Sequence, residues 1–192
     1  MPDPSTTSAE PVPAAQRLRA EAVDPAAPGG AISPSFGFMR PRLARWIALG
    51  FGSGLSPVAP GTVGTLWAWA AFLAINPWLS DVGWWVVLVL GFALGCWACE
   101  RTGRDLGQPD HSGMVWDEVI AFWLVLLVVP QDFRSQLAAF FVFRFFDVLK
   151  PPPIRFLDQT VKGGFGVMLD DLLAAFYTLL AVAVAVWTWA RT

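Results

Sequence analysis

The stretch WWVVLVLGFALGCWAC, from Trp84 to Cys99, is apolar along its whole length and carries no charged side chain. It is one of five mostly apolar stretches that follow one another after residue 61. The five are Thr62 to Trp78, Trp84 to Cys99, Asp117 to Val129, Leu137 to Leu149, and Asp170 to Trp189. Of the whole chain 55% is hydrophobic and only 15% is charged, against about 25% charged in soluble domains. The sequence therefore predicts an all-α polytopic membrane bundle of about five apolar helices.

The chain before these stretches has a different composition. Residues 1–38 are rich in Pro and Ala and lack the apolar content needed to form a core. This composition predicts a disordered tail over residues 1–38, followed by a membrane domain over residues 39–192. The tail also lacks the apolar core of a signal peptide.

A glycine- and proline-rich segment, GFGSGLSPVAPGTVG from Gly50 to Gly64, leads into the first apolar stretch. Its composition opposes a regular helix, yet it is too apolar for an exposed loop, which favours a re-entrant or interfacial segment. With free backbone N–H groups ending at a helix N-terminus, it is suited to bind an anion. The candidate contacts in this segment are Ser53, Gly54, Ser56 and Thr62. A tightly packed turn without a ligand is the alternative.

If hairpins join the five stretches, most ionisable residues fall at one end of the bundle. These are Glu100, Asp105, Asp110, His111, Asp117, Glu118, Arg144, Asp147, Lys150, Arg155, Asp158, Lys162, Asp170 and Asp171. Of the 13 Lys and Arg residues, 11 lie on this side or in the N-terminal region that precedes the first stretch. The positive-inside rule then places the acidic end at the cytoplasmic face. The net charge of −2 implies no nucleic-acid partner.

Two acidic pairs are the main candidates for a metal site. Asp117-Glu118 opens the third stretch, and Asp170-Asp171 opens the fifth after the turn Gly163–Gly166. Carboxylates are ligands for divalent cations, although acids at a helix N-terminus are also favoured by the helix dipole. For each pair both interpretations stay open.

Three charged residues, Arg144, Asp147 and Lys150, are spaced to share one face of the fourth helix. Charges inside an apolar helix usually face a partner or a cavity. Asp147 is a candidate metal ligand, with Arg144 and Lys150 receiving phosphate oxygens. A structural ion pair between Arg144 and Asp147 is the alternative. His111 is a candidate base or metal ligand, or a surface residue without a role.

Several motifs are absent, and these absences narrow the chemistry. A single histidine excludes mechanisms that need two, and no C-x5-R or D-x-D-x-[TV] motif supplies a nucleophile. Cys96 and Cys99 are interpreted as packing residues because no second pair completes a zinc site. If the chain is a phosphatase, a divalent metal held by carboxylates is the remaining route.

Three long blocks resemble the bacterial phosphatidylglycerophosphatase A family. The blocks are GFGSGLSPVAPGTVGTLWA (Gly50 to Ala68), DHSGMVWDEVIAFW (Asp110 to Trp123) and FRFFDVLKPPPIRFLDQTVKGGFGVMLDDLLA (Phe143 to Ala174). The resemblance implies a Mg²⁺-dependent lipid phosphatase of the bacterial inner membrane, whose substrate is phosphatidylglycerophosphate. It places the family's acidic positions on Asp117, Glu118, Asp147, Asp170 and Asp171, with Arg144, Lys150, Arg155 and Asp158 in the same blocks. We expect the five acids to provide the Mg²⁺ ligands and, with Arg144 and Lys150, the catalytic residues. Arg155 and His111 are expected to contact the substrate.

Other classes of function remain as alternatives. A small cation transporter could use the same acids as a pathway, but it predicts ionisable residues spread through the membrane depth. A non-catalytic scaffold gives no purpose to Arg144 and the acidic pairs. A CDP-alcohol phosphotransferase lacks support because its D-G-x-x-A-R signature is missing.

Overall fold

The computed structural model describes residues 34–189 and 191, and every regular element in that part of the chain is helical. The helices are α1 Phe36–Met39, α2 Leu43–Ala48, α3 Pro60–Ile75, α4 Asp81–Leu106, α5 Trp116–Val128, α6 Phe133–Leu149, α7 Ile154–Thr160 and α8 Gly163–Trp189. Short 3₁₀ helices cover Gly50–Leu55 and Asn76–Trp78. The prediction of an all-α fold is confirmed.

Helix α5 occupies the centre of the bundle. Ten of its thirteen residues are buried, so it is enclosed by other helices on nearly every side. It packs against α3, α4 and α8, and α8 also packs against α4 and α6. Aromatic side chains fill the space between the helices, with the rings of Phe72 and Trp84 stacked 4.7 Å apart between α3 and α4. A polar residue on α5 is therefore surrounded by protein.

Two helices, α4 and α8, are long and apolar enough to cross a membrane by themselves, with mean hydropathies of 2.0 and 1.9. Large apolar side chains on their outer faces are exposed, including Val89 and Leu90 on α4 and Phe176 on α8. Helices α3, α5 and α6 have only 16, 13 and 17 residues. At about 1.5 Å per residue, none of the three reaches the roughly 30 Å of a bilayer core. Length and composition thus support two of the five predicted spans.

The boundaries of α4 and α8 differ from the sequence prediction. Helix α4 continues seven residues past Cys99 to Leu106, and α8 begins at Gly163 rather than Asp170. The backbone N–H of Gly164 donates to the Glu100 carboxylate at 2.8 Å, so a side chain of α4 caps the start of α8. The prediction that Asp170-Asp171 opens its helix is therefore wrong: both acids lie about two turns inside α8.

The start of the described chain is fastened to the end of α4. Arg42 and Arg45 bind the Asp105 carboxylate at 2.8 and 3.0 Å. Helix α1 begins at Phe36, within the last three residues of the predicted tail, whereas residues 1–33 lie outside the described residues.

The glycine-rich segment departs from regular helix as expected up to Ala59. Gly50, Phe51 and Gly52 have positive φ angles, which a non-glycine residue such as Phe51 rarely adopts. Ala59 is also left-handed, with φ of 47°, and it turns the chain into α3. Helix α3 then starts at Pro60, two residues earlier than predicted, where a proline is well tolerated.

Candidate active site

Three carboxylates from three helices meet at one end of the bundle. Glu118 lies in the first turn of α5, Asp147 near the end of α6, and Asp171 two turns into α8. One oxygen from each lies within 4.8 Å of the others. We call these three residues the carboxylate cluster. Glu118 and Asp171 are buried and Asp147 is partly buried, so the cluster is screened from bulk solvent.

Each acidic pair is divided between two environments. Successive residues on a helix point about 100° apart, so only one member of each pair joins the cluster. Asp117 instead accepts the backbone N–H of Glu118 at 3.0 Å, and Asp170 accepts the backbone N–H of Asp171 at 3.1 Å. Asp117 and Asp170 are themselves buried, with exposures of 8% and 5%. The site thus combines three converging carboxylates with two buried neighbours.

Arg144 bridges two members of the cluster. Its Nη1 lies 3.0 Å from Glu118 Oε1 and 2.5 Å from Asp147 Oδ2. The predicted structural ion pair with Asp147 is present, and the added contact with Glu118 makes it part of a three-residue network. The single guanidinium offsets part of the like-charge repulsion between the carboxylates.

Lys150 forms a second basic contact at the end of α6. Its Nζ binds the Asp170 carboxylate and lies 3.4 Å from Asp158 Oδ1. Burial by itself lowers the pKa of Lys150, but the charge and hydrogen bond of Asp170 outweigh burial and raise that pKa above its usual value. Lys150 therefore stays protonated at neutral pH and close to the second acidic pair.

The glycine-rich segment reaches the cluster through the first turns of α3. Gly61 lies against Glu118 and Arg144, since a Cβ built on it would stand 2.0 Å from Glu118 Oε1. Thr65, one turn further, is fully buried and places its hydroxyl 3.1 Å from Glu118 Oε2. Sequence reasoning named neither residue as part of the site. Gly61 lies inside the glycine-rich segment and Thr65 directly follows it, and their spacing of four on one helical face was the available signal.

The predicted anion contacts are arranged differently. The hydroxyls of Ser53 and Ser56 donate within the segment, to the carbonyls of Gly50 and Val58, both at 2.8 Å. Gly54 is buried and packs closely against the backbone of Gly113. A Cβ built on Gly54 would stand 1.9 Å from the Gly113 carbonyl oxygen. Thr62 is half-buried in the first turn of α3.

The two remaining predicted site residues are His111 and Arg155. His111 is half-buried, and its Nδ1 accepts the backbone N–H of Gly113 at 2.9 Å. Burial lowers the pKa of His111, and the charge of Asp110 opposes that effect. Arg155 lies on the short helix α7 with an exposed side chain. Cys96 and Cys99 both carry free thiols, consistent with packing residues.

The cluster fits a divalent cation. Oδ2 of Asp171 is buried without a hydrogen-bond partner, which is costly for a carboxylate oxygen unless a cation compensates it. Carboxylate oxygens are the ligands that Mg²⁺ prefers, at about 2.0–2.1 Å. The three oxygens lie within 4.8 Å of one another, so they converge on one place where a shared ion could bind.

Together, the fold and site define an all-helical protein with a buried carboxylate cluster that could hold a metal ion. Residues 46–186 match the family described as phosphatidylglycerophosphatase A, so the chain belongs to that family. It is 43% identical over 143 residues to phosphatidylglycerophosphatase A of Haemophilus influenzae, covering 73% of this chain and 88% of the relative. The Escherichia coli protein of that name is 42% identical over 134 residues, covering 67% and 74%.

A third relative has a different name. A putative phosphatidylinositol-3-phosphatase of Bacteroides thetaiotaomicron is 41% identical over 148 residues, covering 73% of this chain and 92% of the relative. No solved structure matches the chain. The relatives support a phosphatase, and they do not support the cation transporter that was the alternative.

Proposed function

We propose that this protein hydrolyses phosphatidylglycerophosphate to phosphatidylglycerol and phosphate, in phospholipid biosynthesis. The family match supports the reaction, and two relatives carry the name of this phosphatase. The observation that carries the mechanism is the carboxylate cluster, in which Asp171 converges with two further carboxylates and has a buried oxygen without a hydrogen-bond partner. Such a group can hold a metal ion beside a phosphate monoester.

The cluster residues Glu118, Asp147 and Asp171 would hold Mg²⁺, with Asp117 and Asp170 as further candidate ligands. A bound Mg²⁺ supplies charge that polarises a phosphoryl oxygen and lowers the pKa of a water molecule. The basic side chains act on the phosphate itself. Arg144 already lies within the cluster, and its planar fork can donate to two phosphoryl oxygens at once. Lys150, about one turn after Asp147, adds a second positive charge that can stabilise the negative charge developing on the phosphoryl group.

The proposed location is the bacterial inner membrane, with the active face in the cytoplasm. The two long apolar helices, the exposed apolar side chains of α4 and α8, and the distribution of Lys and Arg support this arrangement. In the five-span arrangement α3, α5 and α6 are inserted beside α4 and α8. Their short length requires either local thinning of the bilayer or polar ends sunk to the headgroup level.

The decisive experiment is phosphate release by the purified full-length protein in detergent, with Mg²⁺ or with EDTA. Phosphatidylglycerophosphate is compared with phosphatidylinositol 3-phosphate, because one relative has that name, and with phosphatidic acid. We expect metal-dependent release with the highest kcat/KM on phosphatidylglycerophosphate. Preference for the inositol lipid would overturn the substrate, and release unaffected by EDTA would overturn the metal mechanism.

A further inference from the structure

We propose that Thr65 is a positioning residue that orients Glu118 within the carboxylate cluster when the cluster takes up its divalent cation. The inference rests on the proposed metal-dependent function. It concerns a residue outside the five acids and two basic residues assigned above, on a helix that contributes no carboxylate to the cluster.

The face of α3 that meets Glu118 is built from three small residues. Gly61, Gly64 and Thr65 are spaced i, i+3, i+4 and therefore share one side of the helix. A Cβ on Gly61 would stand 2.0 Å from Glu118 Oε1, and one on Gly64 would stand 3.2 Å from Glu118 Oε2. The two glycines thus let the Glu118 carboxylate approach the helix, and Thr65 provides a hydroxyl at the point of approach.

The hydroxyl has more acceptors than protons. Thr65 Oγ1 lies 3.1 Å from Glu118 Oε2 and 2.9 Å from the Gly61 carbonyl, and a threonine has one proton to donate. A hydrogen bond to an ionised carboxylate is about twice as strong as one to a neutral carbonyl. When Glu118 is ionised, the proton is therefore given to Glu118.

Glu118 is consequently held from both sides. Arg144 Nη1 contacts Oε1 at 3.0 Å while Thr65 contacts Oε2. Each oxygen keeps a further lone pair for a cation. Partners that fix a metal ligand in this way typically contribute about 10–100-fold to metal affinity.

The chain contains a matched control for the simpler explanation that Thr65 serves only in helix packing. Thr178 on α8 is also fully buried, and its hydroxyl donates only to the carbonyl four residues earlier, Ala174, at 2.8 Å. If Thr65 served only in packing and in this common helical bond, Thr65→Val and Thr178→Val would have the same effects.

The test is a MgCl₂ titration of the full-length protein in detergent. Binding is measured by isothermal titration calorimetry and by the Mg²⁺-induced rise in Tm. We expect Thr65→Val to need about 10–100-fold more Mg²⁺ for half-maximal effect. Thr65→Ser, which keeps the hydroxyl, should stay near the wild type, and Thr178→Val should not change the titration. Phosphate release should show the same shift in Mg²⁺ dependence, with maximal rate approached at high Mg²⁺.

The outcomes separate the two proposals. If the wild type and Thr65→Val bind Mg²⁺ equally well, the role of Thr65 is overturned and the proposed function stays intact. Wild-type protein that takes up no Mg²⁺ overturns the metal site and this inference together. If Thr65→Val yields no folded protein, Thr65→Ala compared with Thr178→Ala carries the same test, since neither change adds volume.

Discussion

Gly61 offers the sharpest test of how closely α3 approaches the carboxylate cluster. In Gly61→Ala the new Cβ would lie 2.0 Å from Glu118 Oε1 and 2.9 Å from Arg144 Nη2. Ordinary contact begins at 3.4 Å, so Glu118 or α3 must move by about 1.4 Å, the difference between these two distances. A misplacement of about 1 Å in a catalytic group can reduce the rate about 100-fold.

Stability provides a second, opposing expectation. Alanine is a better helix former than glycine by about 1 kcal/mol, so secondary structure alone predicts a more stable variant. Overpacking against a buried carboxylate costs about 1–3 kcal/mol. We therefore expect Gly61→Ala to lose about 100-fold in kcat and to melt no higher than the wild type.

The assay is phosphate release at saturating lipid and Mg²⁺, together with the Tm in detergent. Gly37→Ala is the matched control, because the nearest atom to its added Cβ is Ser35 Oγ at 3.8 Å. That variant should keep its activity. Wild-type kcat in Gly61→Ala would show that α3 does not closely confine Glu118, which would contradict the site described above.

Three further predictions concern other parts of the molecule. Asp171→Asn should abolish Mg²⁺-induced stabilisation and lower kcat at least about 100-fold, because it neutralises the oxygen that lacks a partner; full activity would remove Asp171 from the metal site. Ser80→Ala should cost about 1 kcal/mol of unfolding free energy with unchanged kcat, since the Ser80 hydroxyl caps α4 through the N–H of Gly83, and Ser80→Asp should restore it. The lowered pKa of His111 means that the unfolded chain takes up its proton first as pH falls below about 6.5. The free energy of unfolding should therefore decrease from that pH downward. Between about pH 7 and 5 the Tm of His111→Gln should fall less than the Tm of the wild type, and identical Tm profiles for the two proteins would contradict this assignment.

The sequence was sufficient to predict the helical architecture because the apolar stretches are long and separated by polar or glycine-rich segments. The helix boundaries were harder to predict from the sequence, because they depend on contacts between helices. Helix α4 continues to Leu106, and its last turn carries Asp105, which binds Arg42 and Arg45 from the start of the described chain. Gly164 was interpreted as part of a turn, whereas its Cα lies close to the Cys96 carbonyl and the absent Cβ permits close packing of α8 against α4.

For the site as well, the sequence predicted which residues are candidates, whereas their arrangement depends on tertiary packing. Acids and bases inside apolar helices are visible in the sequence, because their positions there need a physical reason. The meeting of Glu118, Asp147 and Asp171 follows from helix rotation, which places only one member of each acidic pair in the cluster. Thr65 was not predicted because an isolated threonine in an apolar helix gives no indication of which carboxylate it will face.

The unequal lengths of the helices have a consequence for how a substrate arrives. Helices α4 and α8 have 26 and 27 residues, about 39–40 Å, which exceeds a bilayer core of about 30 Å by roughly 10 Å. Asp171 lies about 12 Å from the start of α8, which the proposed arrangement would put near the depth where acyl chains give way to headgroups. In the proposed membrane arrangement, a lipid reaches the cluster by lateral diffusion with its chains still in the bilayer. The turnover rate then depends on the mole fraction of substrate in the membrane, and dilution with inert lipid slows the enzyme even when bulk substrate concentration is constant.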